Sequence, residues 1–595
     1  MRLVRVELLF FAVLSSCAIA AFGQEPAEQV CRRPAPGSIV PEPRDLRSRD
    51  GTLRVELTYR SSHDAQGRTR FCFLAADGSE APTLRVSPGD WLIIALKNEA
   101  GILAGVAKSE AHAAHSRGLS NSTNPRVEVA SVTDASTRPC AAGAMTPLST
   151  NLHFHGLTVP AVCHQDDVLH TTIQPGDAPF EYHFQIPKDE PPGLYWYHPH
   201  VHGSTKAQVL GGASGALIIE GIERAKPALA GLRERVFVIR DQNLLNPDAV
   251  ASAEPGTSIP PVVLDHDGDV MNNGTGTGRP AQDLSINFVP VPYPDYRPAT
   301  ISLKPGERQL WRVLNASAIT YLNLQLLVRG EAQAVEIVAI DGVPLNDGGS
   351  AVRGSIWQNH LGVSPGGRIE FVVKGPPAGV AGALITRAVN TGAAGENDPT
   401  RPLANIIATP NAVEPASSLA QAPLALPPAT LPWIGKVEPV RTRKLYFSEV
   451  PQDPRDPTSP TTFYLTVDGQ TPKAFDPSVE IPNIVAGQGD VEDWIIENRS
   501  QELHDFHIHQ AHFLLLEWFG LAVNEGFLRD TINVPYWDGE NPVYPRIKLR
   551  MDFRDPNVVG LFPYHCHLLE HEDAGMMGLI RVEPRELQQS KAARE

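Results

Sequence analysis

Short apolar stretches bounded by turn residues dominate the pattern along the chain, and few segments show the periodicity of a long helix. Three segments share one layout, in which a Gly followed by an acidic residue leads into an apolar strand that ends at an Asn. They span 89–98, 306–315 and 489–498. Self-similarity of this kind predicts repeated units, and the many turn signals predict that each unit is a β-sandwich of short strands.

A second repeat relates the first and last of these units. The stretch 193–220 (GLYWYHPH, ending GALIIE) parallels the stretch 560–583 (GLFPYHCH, ending GLIRVE). In the middle unit, Tyr321, Leu324 and Leu326 stand at the positions that hold histidines in the third unit. We therefore expect two related functional units separated by a spacer unit.

These repeats predict an all-β protein of three Greek-key β-sandwich domains. We place domain one at 24–224, domain two at 225–400 and domain three at 435–595. Residues 401–434 are rich in Pro and Ala and are expected to form a connector without a core. The polar stretch from 101 to 150 is expected to be an extended surface loop inside domain one.

The N-terminal segment, residues 1–23, is predicted to be a signal peptide. Arg2 and Arg5 precede a short apolar run and a series of small residues, the layout of an export signal, and the run is too short for a transmembrane anchor. We expect a periplasmic or secreted protein without a transmembrane segment. The sequence around Cys17 also resembles a lipoprotein processing site, which leaves lipid anchoring as an alternative.

Composition and charge exclude two classes of partner. The 595 residues include 51 Lys and Arg against 67 Asp and Glu, a net charge of −16. Nucleic acids and anionic membranes require a basic surface, so we expect no nucleic-acid partner and no anionic membrane partner.

The cysteines suggest two disulfides and one residue with another role. Removal of the signal peptide leaves five cysteines, an odd number in an oxidising compartment. Cys140 and Cys163 could form one disulfide, and Cys31 and Cys72 the other, although four cysteines allow three connectivities. Buried free thiols are the alternative.

Four clusters of histidines carry the candidate chemistry. Residues i and i+2 of a strand point to the same face, so each His-x-His pair offers two imidazoles to one site. Four such pairs in two related units predict a metal site with several ions. The clusters are His153 and His155; His198 and His200; His504, His507 and His509; and His565, Cys566 and His567 with His571 and Met576.

The types of ligand indicate copper. One thiolate, two imidazoles and a weak thioether define a trigonal blue-copper site, and Cys566, His504, His571 and Met576 provide this set. Zinc would need four strong ligands and no thioether. The remaining histidines, without carboxylates, suit further copper ions. Cys566 is bonded through the chain to a histidine on each side, so we expect it to conduct electrons between the two sites.

These motifs resemble those of the three-domain, laccase-like multicopper oxidases of bacteria, whose domains are cupredoxin-like. The resemblance implies four copper ions: one type 1, one type 2 and a type 3 pair. It assigns His504, Cys566 and His571 to type 1 copper, with Met576 axial, and His153 and His507 to type 2 copper. The type 3 ligands implied are His155, His198, His200, His509, His565 and His567.

The same resemblance implies that electrons taken singly from a reducing substrate at type 1 copper pass through Cys566 to the other ions, where dioxygen is reduced to water. That reaction needs protons. By position, Glu572 resembles one proton-relay acid of the family, and either Asp166 or Asp167 resembles the other. Ordinary polar roles are the alternative for all three carboxylates.

The reducing substrate remains open between classes. Phenols or aromatic amines are the first expectation, and metal ions, Fe(II), Mn(II) or Cu(I), are the alternative. The absence of Met between Met271 and Met551 argues against Cu(I), whereas carboxylate ligands for Fe(II) or Mn(II) are plentiful. A copper-sequestering protein without turnover is a third hypothesis. We expect a monomer, because one chain holds all the ligands.

Overall fold

The computed structural model describes residues 30–101, 140, 143–249, 264, 269–271, 278–345, 356–421, 431–453, 455 and 459–586. The predicted signal peptide and most of the predicted loop between 101 and 150 lie outside the described residues. Within them the chain forms six β-sheets and few helices, which confirms the predicted all-β class. The sheets lie in three successive pairs, called units one, two and three below.

Unit one pairs a four-stranded sheet of order β3-β2-β5-β7 with a five-stranded sheet of order β1-β4-β9-β8-β6. The strand β7 alternates buried apolar with exposed polar residues, as a strand with one wet face does. Its strands are β1 (Asp45–Arg47), β2 (Thr52–His63), β3 (Thr69–Ala75), β4 (Thr83–Val86), β5 (Trp91–Asn98), β6 (His153–His155), β7 (Phe180–Gln185), β8 (Leu194–His198) and β9 (Gly215–Ile219).

Unit two has one sheet of order β12-β11-β10-β14-β21-β17-β18 with β19 beside β17, and another of order β13-β23-β22-β15-β16 with β20 beside β15. Its strands are β10 (Arg233–Gln242), β11 (Asp283–Ile286), β12 (Val289–Val291), β13 (Ala299–Leu303), β14 (Arg308–Asn315), β15 (Leu322–Val328), β16 (Glu331–Ala332), β17 (Val335–Ile340), β18 (Val343–Pro344), β19 (Ile356–Gln358), β20 (Leu361–Val363), β21 (Arg368–Lys374), β22 (Ala381–Thr386) and β23 (Arg401–Ala408).

Unit three repeats the plan of unit one with sheets of order β25-β24-β27-β32-β29-β30 and β26-β34-β33-β28-β31. Its strands are β24 (Arg441–Pro451), β25 (Thr461–Val467), β26 (Ile484–Gly487), β27 (Val491–Asn498), β28 (His504–Ile508), β29 (Phe513–Trp518), β30 (Leu521–Ala522), β31 (Thr531–Val534), β32 (Arg546–Asp552), β33 (Gly560–Cys566) and β34 (Met577–Glu583).

The helices are short. None in the described part of the chain is long or apolar enough to cross a membrane. They are α1 (Thr205–Leu210), α2 (Ile222–Ala225) and α3 (Leu569–Asp573), with single 3₁₀ turns at Pro227–Leu229, Ile434–Lys436 and Pro556–Val558.

The turn–strand–Asn segments of the sequence become β5, β14 and β27, one in each unit. The Asn that ends each strand, Asn98, Asn315 or Asn498, is fully buried. Each side-chain amide donates to two backbone carbonyls, and each side-chain oxygen accepts from the backbone N–H two residues later. The repeated Asn thus ties the strand end to the following loops by a satisfied buried network.

The connector begins later than the sequence predicts. Arg401–Ala408, assigned to the connector, is the strand β23, paired with β13 and β22 in unit two. Leu403, Ala404 and Ile406 face the core of that unit, so apolar burial holds this stretch in the sheet despite Pro402. The Pro/Ala-rich residues 422–430 lie outside the described residues.

Both predicted disulfides are present. Cys31 is bonded to Cys72, and Cys140 to Cys163. Among the described cysteines, only Cys566 is free, and it is buried. The odd cysteine is therefore the one placed between two histidines.

Candidate metal centre

The four His-x-His pairs lie on strands, or at the ends of strands, that match between units one and three. In unit one, β6 pairs with β8 so that His153 lies opposite His198. In unit three, β28 pairs with β33 so that His507 lies opposite His565. Two equivalent strand pairs therefore present their imidazoles at the junction of the two units, as the i, i+2 spacing requires.

Three side chains of unit three form a compact group beneath this junction. Cys566 Sγ lies 3.6 Å from His504 Nδ1 and 3.7 Å from His571 Nδ1, and the two nitrogens are 3.2 Å apart. All three residues are buried. At angles of about 105–120°, two nitrogens about 2.0 Å from one ion are about 3.2–3.5 Å apart, and a sulfur about 2.3 Å from the ion lies about 3.4–3.7 Å from each nitrogen. The three atoms therefore fit a single copper ion.

Local structure holds this group in place. His571 lies on α3, directly after β33, and its ring stacks on Phe463 at a centroid distance of 4.2 Å. Met576 is fully buried, and its backbone N–H donates to His571 O. The backbone N–H of Asp505 approaches Cys566 Sγ at 3.5 Å, a contact that suits a thiolate better than a thiol.

Eight histidines from units one and three form the second, larger group. His200 Nε2 lies 3.5 Å from His565 Nε2, and His509 Nε2 lies 3.2 Å from the same atom. Donor atoms of two further trios also lie within 4.8 Å of one another: His153 with His507 and His509, and His153 with His155 and His198. His567 joins them, with its ring centroid 4.8 Å from that of His155.

Hydrogen bonds outside the group fix which nitrogen of several rings points inward. His153 Nδ1 contacts Asp166, His198 Nδ1 contacts the Pro199 carbonyl, and His507 Nδ1 contacts the Asp530 carbonyl. The Nε2 atoms of these three rings have no hydrogen-bond partner in the described structure. His155 is reversed, because its Nε2 contacts Asp530 and Thr531 while Nδ1 has no such partner.

The electrostatics suit a group of metal ligands. Burial lowers the pKa of every one of these eight histidines, and repulsion from neighbouring cations lowers it further for all but His565; the pKa is about 3 for His198 and about 4 for His565. Neutral imidazoles with free lone pairs are good copper ligands. The side chains present therefore fit several copper ions.

Cys566 links the two groups through its neighbours in the chain. Its side chain belongs to the trigonal group, while His565 and His567, one residue to each side, belong to the eight-histidine group. One short covalent path therefore joins the two sites.

The carboxylates predicted to relay protons have different surroundings. Asp166 is buried against His153 Nδ1 at 3.0 Å, and burial raises its pKa well above the usual value. Asp167 instead contacts His170 Nδ1 at 2.6 Å. Glu572 is fully buried, 3.6 Å from His200 Nε2 and 3.3 Å from His565 Nδ1, and burial raises its pKa well above the usual value. Asp166 and Glu572 thus contact members of the eight-histidine group, whereas Asp167 contacts His170, which is not part of that group.

Several acids around the trigonal group are not predicted as site residues by the sequence. Glu449 Oε1 lies 3.0 Å from His504 Nε2, and Glu502 Oε2 lies 3.5 Å from His571 Nε2. Glu396, from unit two, hydrogen-bonds to Glu502. Only Glu502 could be identified from the sequence as a neighbour of the site, because it lies two residues before His504. The other two reach the site through tertiary folding.

The comparisons with known proteins agree on one family. Two family models described as multicopper oxidase match residues 144–224 and 454–586. The multicopper oxidase mco of Staphylococcus aureus is 24% identical over 444 residues, covering 73% of this chain and 77% of that protein. A laccase of Bacillus subtilis is 23% identical over 421 residues, covering 67% and 71%.

A solved structure extends the similarity to the whole fold. The multicopper oxidase of Campylobacter jejuni, described as a metallo-oxidase, aligns with a TM-score of 0.59 and 23% identity, covering 93% of this chain and 96% of that one. The three cupredoxin-like domains expected from the sequence are therefore the fold of this protein.

Proposed function

Since the chain belongs to the multicopper oxidase family, whose members are copper-dependent oxidoreductases that use dioxygen, we propose how its residues share that work. His504, Cys566 and His571 would hold type 1 copper, with the buried Met576 as a further, weaker ligand. His153 and His507 hold type 2 copper. The type 3 pair is held by His155, His198, His200, His509, His565 and His567. The trigonal geometry of the first group carries this assignment.

Bound copper supplies one-electron redox chemistry at the first group and dioxygen reduction at the second. The chain itself provides the connecting path through Cys566. Glu572 and Asp166 are placed to hold and deliver protons, because burial raises the pKa of both carboxyls well above the usual value and so favours their protonated form. Both carboxyls lie against ligand histidines, so a proton released there has a short way to travel.

The surroundings of the trigonal group favour a metal cation as the reducing substrate. Three glutamates, Glu396, Glu449 and Glu502, meet where the outer nitrogens of His504 and His571 emerge. Glu502 is buried, and its Oε1 has no hydrogen-bond partner among the described residues. Burial and the charges of Glu396 and Glu449 raise the pKa of Glu502 well above its usual value. A cation bound between the glutamates would remove the repulsion between their carboxylates.

Hard carboxylate oxygens select Fe(II) or Mn(II) rather than Cu(I). The route for the electron is short, because the carboxylates of Glu449 and Glu502 lie 3.0 Å and 3.5 Å from the outer nitrogens of the type 1 imidazoles. The side chains of His504 and His571 are at most 3% exposed, so an organic molecule has little direct contact with either ring. The metal-ion alternative therefore fits this site better than the organic donor expected first.

An organic donor remains the second candidate because of one feature. A cleft of about 610 Å³ opens beside Leu503, the residue before His504, and beside the end of β31. Five of the fourteen residues that line it are aromatic and suit a flat phenol or aromatic amine. The aromatic residues that line it are Trp518, Phe519, Tyr536, Trp537 and Tyr544.

Oxygen uptake by the copper-loaded protein separates these donors. We expect uptake with Fe(II) or Mn(II), and we expect Glu502→Gln to raise the KM for the metal ion without loss of the blue absorption. Glu331→Gln, at an exposed position of unit two, is the control. Uptake with a methoxyphenol alone, reduced by Trp537→Ala and unaffected by Glu502→Gln, would establish the organic donor instead. Blue protein without uptake from any donor would favour copper sequestration.

We also propose that the protein is exported. The two disulfides support an oxidising compartment, because such bonds rarely persist in a reducing cytosol. Fractionation of cells should find the mature chain in the periplasm or medium without residues 1–23. A cytosolic protein with an intact N-terminus would overturn this proposal.

A further inference from the structure

A buried ion pair joins unit two to unit three beside the eight-histidine group. Arg368, at the start of β21, contacts Asp530 with both ends of its guanidinium, and its Nη1 lies 2.6 Å from Asp530 Oδ1. Neither side chain is exposed to solvent. A guanidinium and a carboxylate in this two-point contact are fixed in orientation as well as in distance.

Asp530 in turn touches two of the histidines. Its carboxylate Oδ1 lies 3.2 Å from His155 Nε2, and its backbone carbonyl accepts from His507 Nδ1 at 2.8 Å. Thr531 Oγ1 donates to Asp530 Oδ1 and lies 3.0 Å from His155 Nε2. The ion pair is therefore one contact away from a ring of unit one and a ring of unit three.

These contacts explain why His155 is reversed relative to its neighbours. A carboxylate paired with a guanidinium accepts hydrogen bonds and donates none, so His155 must donate from Nε2. Its Nδ1 is then left with a lone pair, and this atom has no hydrogen-bond partner in the described structure. His153, His198 and His507 instead leave Nε2 free. One acceptor thus determines which atom His155 offers.

The other contacts of Arg368 reach backbone atoms close to ligand histidines of unit one and unit three. Its Nε donates to Leu194 O, at the start of β8, and Nη1 also approaches Gly366 O. A Cβ on Gly366 would lie 2.8 Å from the ring of His567. Glu370, two residues along β21, accepts from Leu194 N at 2.8 Å. The start of β21, in unit two, thus contacts residues that lie next to ligands of unit one and of unit three.

Gly156 shows independently that the Arg368–Asp530 pair lies very close to the chain of the first histidine motif. It follows His155 with a φ of +90°, and a Cβ there would lie 2.5 Å from Arg368 Nη2 and 2.6 Å from Asp530 Oδ2. The glycine of the first histidine motif is therefore needed because the ion pair lies directly against its backbone.

We propose that Arg368 is a positioning residue for the copper cluster: acting through Asp530, it orients His155 and His507 and selects Nδ1 of His155 as the ligand atom. The inference rests on the copper assignment proposed above. Unit two, which supplies no ligand, thereby acts in assembly of the cluster and is more than a spacer.

The test is the copper content and spectrum of Arg368→Gln, Arg368→Lys and Asp530→Asn. Loss of a support for a ligand typically lowers metal affinity by about 10–100-fold. We expect Arg368→Gln and Asp530→Asn to lose type 2 or type 3 copper and to alter the type 2 paramagnetic resonance signal, while the blue type 1 absorption persists. Arg368→Lys, which keeps the charge, should retain more copper than Arg368→Gln.

Arg401→Gln is the matched control, since Arg401 is also buried in unit two but pairs with Asp398, a carboxylate with no hydrogen bond or ion pair to any of the eight histidines in the described structure. Arg368→Gln with full copper and an unchanged type 2 signal would overturn the proposal, as would loss of the blue absorption together with the rest. If Arg368→Gln does not fold, Thr531→Val must alter the type 2 signal. Wild-type protein that never binds four copper ions would count against the copper assignment itself.

Discussion

Cys566 carries two functions at the scale of a single residue. Its sulfur is one vertex of the trigonal group, and its backbone is shared with His565 and His567. An oxygen ligand would have neither the softness nor the covalency of the thiolate. The spectrum and the electron path therefore depend on the same atom.

Cys566→Ser should abolish both the blue absorption and the oxygen uptake while leaving the protein folded. The side chains are nearly equal in size, so the buried site keeps its packing. Visible absorption, oxygen uptake and circular dichroism of the variant check this. Turnover retained by a colourless variant would reject the path through Cys566.

Glu572→Gln should slow reduction of dioxygen, by about 10²-fold if the carboxyl is a general acid. Burial raises the pKa of Glu572 well above its usual value, which favours a carboxyl that holds a proton and can release it, whereas glutamine has no such proton to release. Stopped-flow reoxidation of the reduced protein, with copper content as the control, measures the step. Equal rates for variant and wild type between pH 5 and pH 8 would exclude the role.

The sequence predicts residues only where neighbours in the chain share a site. The spacing of His504, His507 and His509 is visible because a strand turns alternate residues to one face. Glu396, Glu449 and Asp530 carry no such spacing, since each comes from a different strand or loop and meets the histidines only after the units dock.

At the scale of elements, Gly156 shows how a motif depends on a strand from another unit. Gly156→Ala should lower stability by about 1–3 kcal/mol through its positive φ and also displace the Arg368–Asp530 pair. We expect copper loss from the eight-histidine group in addition to a lower melting temperature.

Gly78→Ala is the control for this substitution. Gly78 has a φ of +81°, but apart from its chain neighbours no atom lies within 4 Å of the place where a Cβ would stand, so only backbone strain should result. Calorimetry and copper analysis of both variants separate the two effects. Full copper in Gly156→Ala would show that the close approach is relieved without harm to the ligands.

The repeated elements were the most predictable part of the fold. The layouts at 89–98, 306–315 and 489–498 predicted β5, β14 and β27, because a turn and a buried strand are local features. The strand β23 was missed because its proline and alanines resemble a linker, and only pairing with β13 and β22 makes it a strand.

At the scale of the whole molecule, a buried ionic network fastens unit one to unit two. Glu234 lies between two guanidiniums, with Oε1 2.7 Å from Arg85 Nη1 and Oε2 2.7 Å from Arg312 Nε. Arg312 also pairs with Glu370, which holds the start of β8. The network thus leads from β4 of unit one, through unit two, to β8, the strand that ends at the ligand His198.

Glu234→Gln should destabilise the protein by about 3–5 kcal/mol, because it leaves two buried cations without their shared anion. Glu181→Gln, in an exposed pair with Arg54, should cost about 0–1 kcal/mol. Thermal unfolding of both variants measures the difference. Equal melting temperatures would show that the network contributes no more than a surface pair.

The same residue predicts a dependence on pH. Burial alone would raise the pKa of Glu234, but Arg312 and Arg85 lower it to about 2 from an ordinary 4.5. Its contribution is therefore present above pH 4.5 and lost as the pH falls towards 2. The gap in melting temperature between wild type and Glu234→Gln should narrow only in that range. A constant gap from pH 7 to pH 2.5 would contradict this.

The matched registers of β6 with β8 and of β28 with β33 set an order of events during maturation. Each strand pair presents only half of the eight imidazoles, so neither unit alone offers a complete set of donors. Copper delivered to a newly made chain can be retained at the junction only after units one and three have met. Occupation of the complete eight-histidine group should consequently follow the docking of units one and three.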